Sequence, residues 1–221
     1  MHWLKRKSYP EFWNQYSACF SQHQEQHLEQ IRFVVFDTET TGLNTKQDRI
    51  LSIGCVAIKD LQIKVSDQLE SYLIQQQFNA DTVKIHGLLK TGKLTKIEEY
   101  EAVVQFLDYL QNAVLVAHHA AFDVAMMNAV LQRHNLPKLK NKVLDTGHLF
   151  QKTKLDTSKL HFSLDELAER FKIPMHDRHT ASGDAYITAL LFLKLVAKLK
   201  MNNPKLSLRD LEKSHKRIGL L

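Results

Sequence analysis

The chain has 221 residues, 44% of them hydrophobic, enough for a sizeable core of the kind that one α/β domain fills. Its 30 Lys and Arg exceed its 24 Asp and Glu, and the resulting formal charge of +6 favours an anionic partner such as nucleic acid. Only Cys19 and Cys55 are present, which excludes a disulfide framework and a multi-cysteine metal site; the longest apolar stretch, Ala185 to Ala197, is too short for a bilayer span and is interrupted by Lys194.

The expected setting is therefore cytoplasmic, with no membrane partner. The opening residues MHWLKRK are basic but run into Tyr9, Pro10, Glu11 and Asn14, which does not read as a signal peptide. Tyr9, Phe12, Trp13, Tyr16 and Phe20 then fall on one helical face, so residues 1–30 are expected to form a helical extension. Such a stripe more often packs on its own core than on a partner.

Ile31 to Phe36 and Ile50 to Ile58 are apolar runs rich in β-branched residues, read as buried strands. A third strand is expected from Gln62 to Val65 or beyond, after a tight Lys59-Asp60 turn. Tyr100, Val103, Val104, Leu107 and Leu110 repeat at helical spacing, and Ala113 to Ala117 returns to a strand pattern. Phe122, Ala125, Met126, Ala129 and Val130 predict a helix beginning near Asp123, followed by a short strand at Val143 to Asp145. Ser163 and Glu166 form a capping box ahead of an apolar run, and a last core helix is expected from Ser182 to Lys200. Residues 31–200 then form the main domain and 201–221 a tail, with Ser207 and Asp210 able to cap a short helix. This order of strands and helices predicts a mixed sheet with helices packed on it.

Asp37 and Glu39 are two residues apart, so an extended backbone sends both to the same side. Hard oxygen ligands of this kind suit Mg²⁺ or Mn²⁺. Taken alone, such a pair reads equally as a solvated turn, and Asp123 and Asp184, each near a helix start, as dipole partners. Together the four acids lie at strand ends or helix starts, where α/β proteins place their sites, and they would repel one another without cations between them. His179, five residues before Asp184, can accept a proton near neutral pH.

These residues resemble the DEDDh exonucleases, the family that includes the proofreading epsilon subunit of bacterial replicative polymerase, ribonuclease T and oligoribonuclease. The first motif is similar to Phe36-Asp-Thr-Glu-Thr-Thr-Gly-Leu43, the second to His118-His-Ala-Ala-Phe-Asp123 and the third to His179-Thr-Ala-Ser-Gly-Asp184. Asp48 to Gly54, Ile85-His-Gly87, Asp145-Thr146 and Ser163 to Phe171 also match, so the resemblance covers Ile31 to Leu199. It implies a ribonuclease-H-like αβα sandwich on a mixed five-stranded sheet, with an exonuclease domain at 31–200. It further implies that Asp37, Glu39, Asp123 and Asp184 hold two divalent cations and that His179 is the general base. Thr40 and Phe122 would position the terminal nucleotide, with His86 near the next base. One departure stands out: His119 occupies the place of the usual Asn in the second motif, and an imidazole lacks the amide's carbonyl acceptor. The implied activity is removal of nucleoside 5'-monophosphates from single-stranded DNA 3' ends, in proofreading or repair, with a DNA polymerase or repair protein as partner in trans. Alternatives are an exoribonuclease acting on small RNAs and a non-catalytic nucleic-acid or polymerase-binding module.

Overall fold

A computed structural model describes residues 8–21, 27–76, 87–88 and 94–213. Five strands form one sheet: β1 (Phe33–Thr40), β2 (Ile50–Lys59), β3 (Gln62–Tyr72), β4 (Val114–Ala117) and β5 (Val143–Asp145), in the order β3-β2-β1-β4-β5. The first three make an antiparallel meander, while β4 and β5 run parallel to β1. The β2–β3 turn uses Asp60 and Leu61, one residue later than expected, because Lys59 still pairs with Gln62 inside the ladder. Both turn residues have positive φ (55° and 53°), the two-residue geometry that matches the twist of a hairpin.

The helices are α1 (Glu11–Ala18), α2 (Glu99–Leu110), α3 (Ala121–Arg133), α4 (Thr146–Thr153), α5 (Leu164–Arg170), α6 (Ala181–Asn202) and α7 (Leu208–Glu212). α3 begins two residues before Asp123 and α6 one residue before Ser182. Capping boxes open α5 at Ser163/Glu166 and α7 at Ser207/Asp210, satisfying amides that the first helical turn leaves free. α4 was not foreseen. Its eight residues carry too short an apolar pattern, and its start is set by Asp145, which accepts from the His148 N–H at 3.0 Å.

Strand β1 is buried on both faces, and its alternation sorts the core. Phe33 and Val35 join a cluster built by α4, α5 and α6, including Phe150, Leu167 and Leu191. Val34 and Phe36 join the opposite cluster, which holds Trp13 of α1, Phe106 of α2 and Met126 of α3. The result is the αβα sandwich on a mixed five-stranded sheet that the sequence led us to expect. The aromatic stripe of α1 lies on this core: Trp13 and Tyr16 are buried, and Tyr16 Oη donates to Asn141 Oδ1 at 2.6 Å.

β4 pairs with β1 only over Phe33 to Val35. From Phe36 onward, among the described residues, no strand pairs with β1 on that side, which opens a cleft at the carboxyl ends of the parallel strands. Among the described residues, no helix is long and apolar enough to cross a membrane.

Candidate active site

Continuing the alternation of β1 puts Asp37 and Glu39 on the face of Phe33 and Val35, beneath α6. Asp184 comes down from the first turn of α6. One carboxylate oxygen from each of Asp37, Glu39 and Asp184 lies within 4.8 Å of the others. The helix gets this close because Gly54, paired with Asp37 across β1 and β2, has no side chain. A Cβ there would sit 2.2 Å from the Ala181 carbonyl carbon and 2.3 Å from the Ser182 nitrogen. The turn before α6 is equally tight: Thr180 caps it by accepting from Gly183 N at 3.1 Å, and a Cβ on Gly183 would meet Asp177 O at 2.0 Å.

Asp123 belongs to α3, on the other side of the sheet. Thr38 points that way, one residue out of phase with Asp37 and Glu39, and both its N–H (3.1 Å) and its hydroxyl (2.7 Å) donate to Asp123 Oδ1. The structure thus brings three of the four expected carboxylates together and holds the fourth beside them through Thr38. The turn leading to Asp123 is fastened by Asp145, whose Oδ2 accepts from Ala120 N at 2.7 Å. His118 fastens it again: Nδ1 lies 2.8 Å from Thr146 Oγ1 and Nε2 3.0 Å from Phe162 O. Since a carbonyl only accepts, Nε2 carries the hydrogen, and burial pushes the imidazole down to about 4, so His118 is neutral.

Burial raises all four carboxylates. Glu39 and Asp123 are each pushed up to about 7, and Asp37 and Asp184 are raised as well. After burial, the neighbouring carboxylates Asp123, Asp184 and Glu39 raise Asp37 further, the mutual repulsion expected of anions crowded without a cation. Hard oxygens converging within one small space, raised by burial and, at Asp37 and Glu39, by neighbouring carboxylates as well, fit a divalent cation. Arg178 lies against this cluster, paired to Asp184 and to Asp165.

The remaining sequence candidates fall at different distances from the chemistry. His179 is exposed, with φ at 66° and its N–H donating to Asp184 Oδ1 at 3.3 Å; its ring Nδ1 lies 3.3 Å from Arg178 Nη1, at the mouth of the cluster. The Thr40 hydroxyl donates to Gly42 O at 2.8 Å and shapes the loop after β1. Phe122 is half-buried against the α1–α3 side of the core. His119 is exposed in left-handed backbone (φ 56°), its ring stacked 4.3 Å from that of His118 and set edge-on to His161 at 6.2 Å, both lining a cavity of about 250 Å³. His86 lies outside the described residues. The sequence did not single out Thr38, Asp165 or Arg178. For Thr38 the signal was available, as the middle residue of Asp37-Thr38-Glu39 on a strand buried on both faces.

A protein-family model described as Exonuclease matches residues 34–192, and the chain belongs to that family. Its relatives include proteins named DNA polymerase III. Over 171 residues it is 32% identical to DNA polymerase III subunit epsilon of Treponema pallidum, covering 76% of this chain and 78% of that protein. It is 36% identical to DNA polymerase III PolC-type of Caldanaerobacter subterraneus subsp. tengcongensis over 177 residues, 76% of this chain but only 12% of that protein. The sandwich itself is shared with cell-death related nuclease 4 (TM-score 0.67, 14% identity, 78% of this chain and 66% of that one). It is also shared with Exonuclease X in complex with 5' overhanging duplex DNA (TM-score 0.60, 21% identity, 80% and 97%).

Proposed function

We propose that this chain is a 3'-to-5' exonuclease that releases nucleoside 5'-monophosphates from DNA 3' ends, using two divalent cations, Mg²⁺ or Mn²⁺. The observation that carries this reading is the convergence of Asp37, Glu39 and Asp184 within 4.8 Å, with His179 at the mouth of the same cluster. Asp37, Glu39, Asp123 and Asp184 are the residues that would hold the cations. When bound, such cations neutralise the phosphodiester and make a water nucleophilic at neutral pH.

The protein's own groups do the rest. His179 accepts the proton of the attacking water, whose oxygen joins phosphorus as the bond to the 3'-oxygen of the preceding nucleotide breaks. That oxygen leaves with the bonding pair and takes a proton from solvent to become the new 3'-hydroxyl, and the terminal nucleotide departs as its 5'-monophosphate. Thr38 and Asp145 keep Asp123 aimed at the reacting phosphate, while the loop held by Thr40, together with Phe122 and His119, lines the way in for the strand. DNA is the expected substrate and a polymerase or repair protein the expected partner in trans, supported by relatives named DNA polymerase III.

The test is a side-by-side digestion of end-labelled single-stranded DNA, mismatched duplex DNA and short RNA with Mg²⁺ or Mn²⁺. Stepwise shortening of the DNA from its 3' end is the expected result. Preferential digestion of the RNA would reassign the substrate, and absence of cleavage would overturn the reading.

A further inference from the structure

Arg178 bridges two carboxylates of different standing. One guanidinium nitrogen, Nη1, contacts Asp184 Oδ2 inside the cluster. On the other side Nε donates to Asp165 Oδ1 at 2.6 Å and Nη2 to Asp165 Oδ2 at 3.4 Å, a two-pronged hold. The Asp184 side chain is 8% exposed and that of Asp165 51%, so Arg178 spans from the buried site to its rim. Asp165 is itself fixed in place, in the first turn of α5 behind the Ser163 capping box.

A guanidinium keeps its charge at any working pH, so it can leave a carboxylate only by moving. The Asp184 carboxylate is one of the three convergent ligands, and a divalent cation placed among them would repel Arg178. The fork of Asp165 lets the side chain give up Asp184, and the 3.3 Å contact of Nη1 with His179 Nδ1, while keeping a carboxylate partner. We propose that Arg178 is a displaceable counter-ion: it neutralises Asp184 in the metal-free protein, competes with the divalent cation for that carboxylate, and is drawn onto Asp165 when the cation binds. This rests on the reading of Asp37, Glu39 and Asp184 as metal ligands. Metal affinity is then set partly by how two aspartates divide one arginine, with Asp165 favouring the cation and Arg178 opposing it.

The two partners should therefore act with opposite signs. In calorimetric titration with Mn²⁺, Arg178→Gln should bind the ion more tightly, by on the order of tenfold, because the competing charge is gone. Asp165→Asn should weaken binding several-fold, because Asp184 becomes the sole carboxylate partner of Arg178. The double variant should lie close to Arg178→Gln, since Asp165 acts mainly through Arg178 and its direct charge effect on Asp184 is the smaller one. The melting temperature of the metal-free protein should fall in Arg178→Gln while its gain on adding Mn²⁺ grows. An arginine that only fixes a loop would instead give two variants shifted in the same direction, or unshifted, and either outcome overturns the proposal. Should Arg178→Gln fail to fold, Arg178→Met, which keeps an apolar stem and removes the charge, takes its place in the sign test. Wild type and Asp184→Asn belong in the same titration. If wild type binds no Mn²⁺, the metal-site reading itself fails; if wild type binds and Asp184→Asn does not, an Arg178→Gln no tighter than wild type sinks only the counter-ion.

Discussion

Thr38 gives both its N–H and its hydroxyl to a single oxygen of Asp123, across the sheet edge that β4 leaves uncovered. The N–H would otherwise be a strand donor without a partner, and the hydroxyl fixes which way the carboxylate turns. Thr38→Val keeps the shape and removes the hydroxyl. Hydrogen bonds to charged groups contribute about 1.5–3 kcal/mol, so turnover is expected to fall roughly ten- to hundredfold if that energy orients Asp123 in the reaction. Thr38→Ser should retain most of the activity. Single-turnover cleavage by the two variants checks this, and equal rates for valine and threonine would show that the contact is structural only.

The raised carboxylates make stability depend on pH with a definite sign. Glu39 and Asp123 hold protons in the folded state up to about pH 7, whereas the unfolded chain releases them in the usual carboxylate range. Their contribution is present at low pH and is lost as pH rises through about 7, so these groups weaken the metal-free protein as it becomes more alkaline. A divalent cation needs the ionised forms, so its effect grows over the same range. The difference in melting temperature with Mn²⁺ and with chelator should be small at about pH 5.5 and large at about pH 8. Taking the difference at each pH also removes the opposite contribution of His118, which is lost as pH falls. A metal-induced gain that is flat or largest in acid would contradict the assignment.

Gly54→Ala should be costly in both stability and activity. The added methyl would meet backbone atoms of Ala181 and Ser182, which cannot rotate away, so α6 must lift from β2 and take Asp184 with it. Overpacking in a core typically costs about 1–3 kcal/mol, and backbone collisions belong at the upper end. Thermal unfolding and Mn²⁺ titration of the variant measure the two consequences. A variant with wild-type stability and metal binding would show that α6 has slack at this point.

Much of this fold was legible because its strands are short apolar runs and its helices carry capping boxes or long apolar stripes. Four strands, α2, α3, α5, α6 and the α1 stripe announced themselves that way, whereas β3 is mostly polar and exposed, was placed by the turn before it, and runs on to Tyr72. α4 did not, since TGHLFQKT contains one short apolar pair and its start depends on Asp145, a residue that sequence alone reads as the end of β5. The site divided along a similar line. Asp37, Glu39 and Asp184 could be paired from strand alternation and motif spacing, but the different approach of Asp123 depends on which side of the sheet α3 packs. Arg178 was hidden for another reason: beside His179 and Asp177 it is one more charged loop residue, and only the fold brings Asp165 and Asp184 to either side of it.

His179→Ala should separate binding from chemistry. Metal ligation falls to the carboxylates, so affinity for Mn²⁺ and for an oligonucleotide should stay close to wild type, while turnover drops by about 10²–10⁴-fold, the usual share of a general base. Single-turnover cleavage at saturating Mn²⁺ and oligonucleotide, beside a titration of each, separates the two effects. A variant that binds poorly but cleaves normally at saturation would make His179 a substrate-holding residue.

The most direct test follows a 5'-labelled single-stranded DNA through time with wild type, with wild type in excess chelator, and with Asp184→Asn. Wild type with Mg²⁺ or Mn²⁺ is expected to give a ladder shortening one nucleotide at a time from the 3' end, releasing nucleoside 5'-monophosphates. Chelator should abolish it, and Asp184→Asn should abolish it while remaining folded, because Arg178 keeps its fork on Asp165 and Asp37 and Glu39 lose a neighbouring negative charge. A ladder that persists in chelator or in Asp184→Asn, or label released first as a mononucleotide from the 5' end, would contradict the assignment of this carboxylate cluster as a metal-dependent 3'-to-5' exonuclease site.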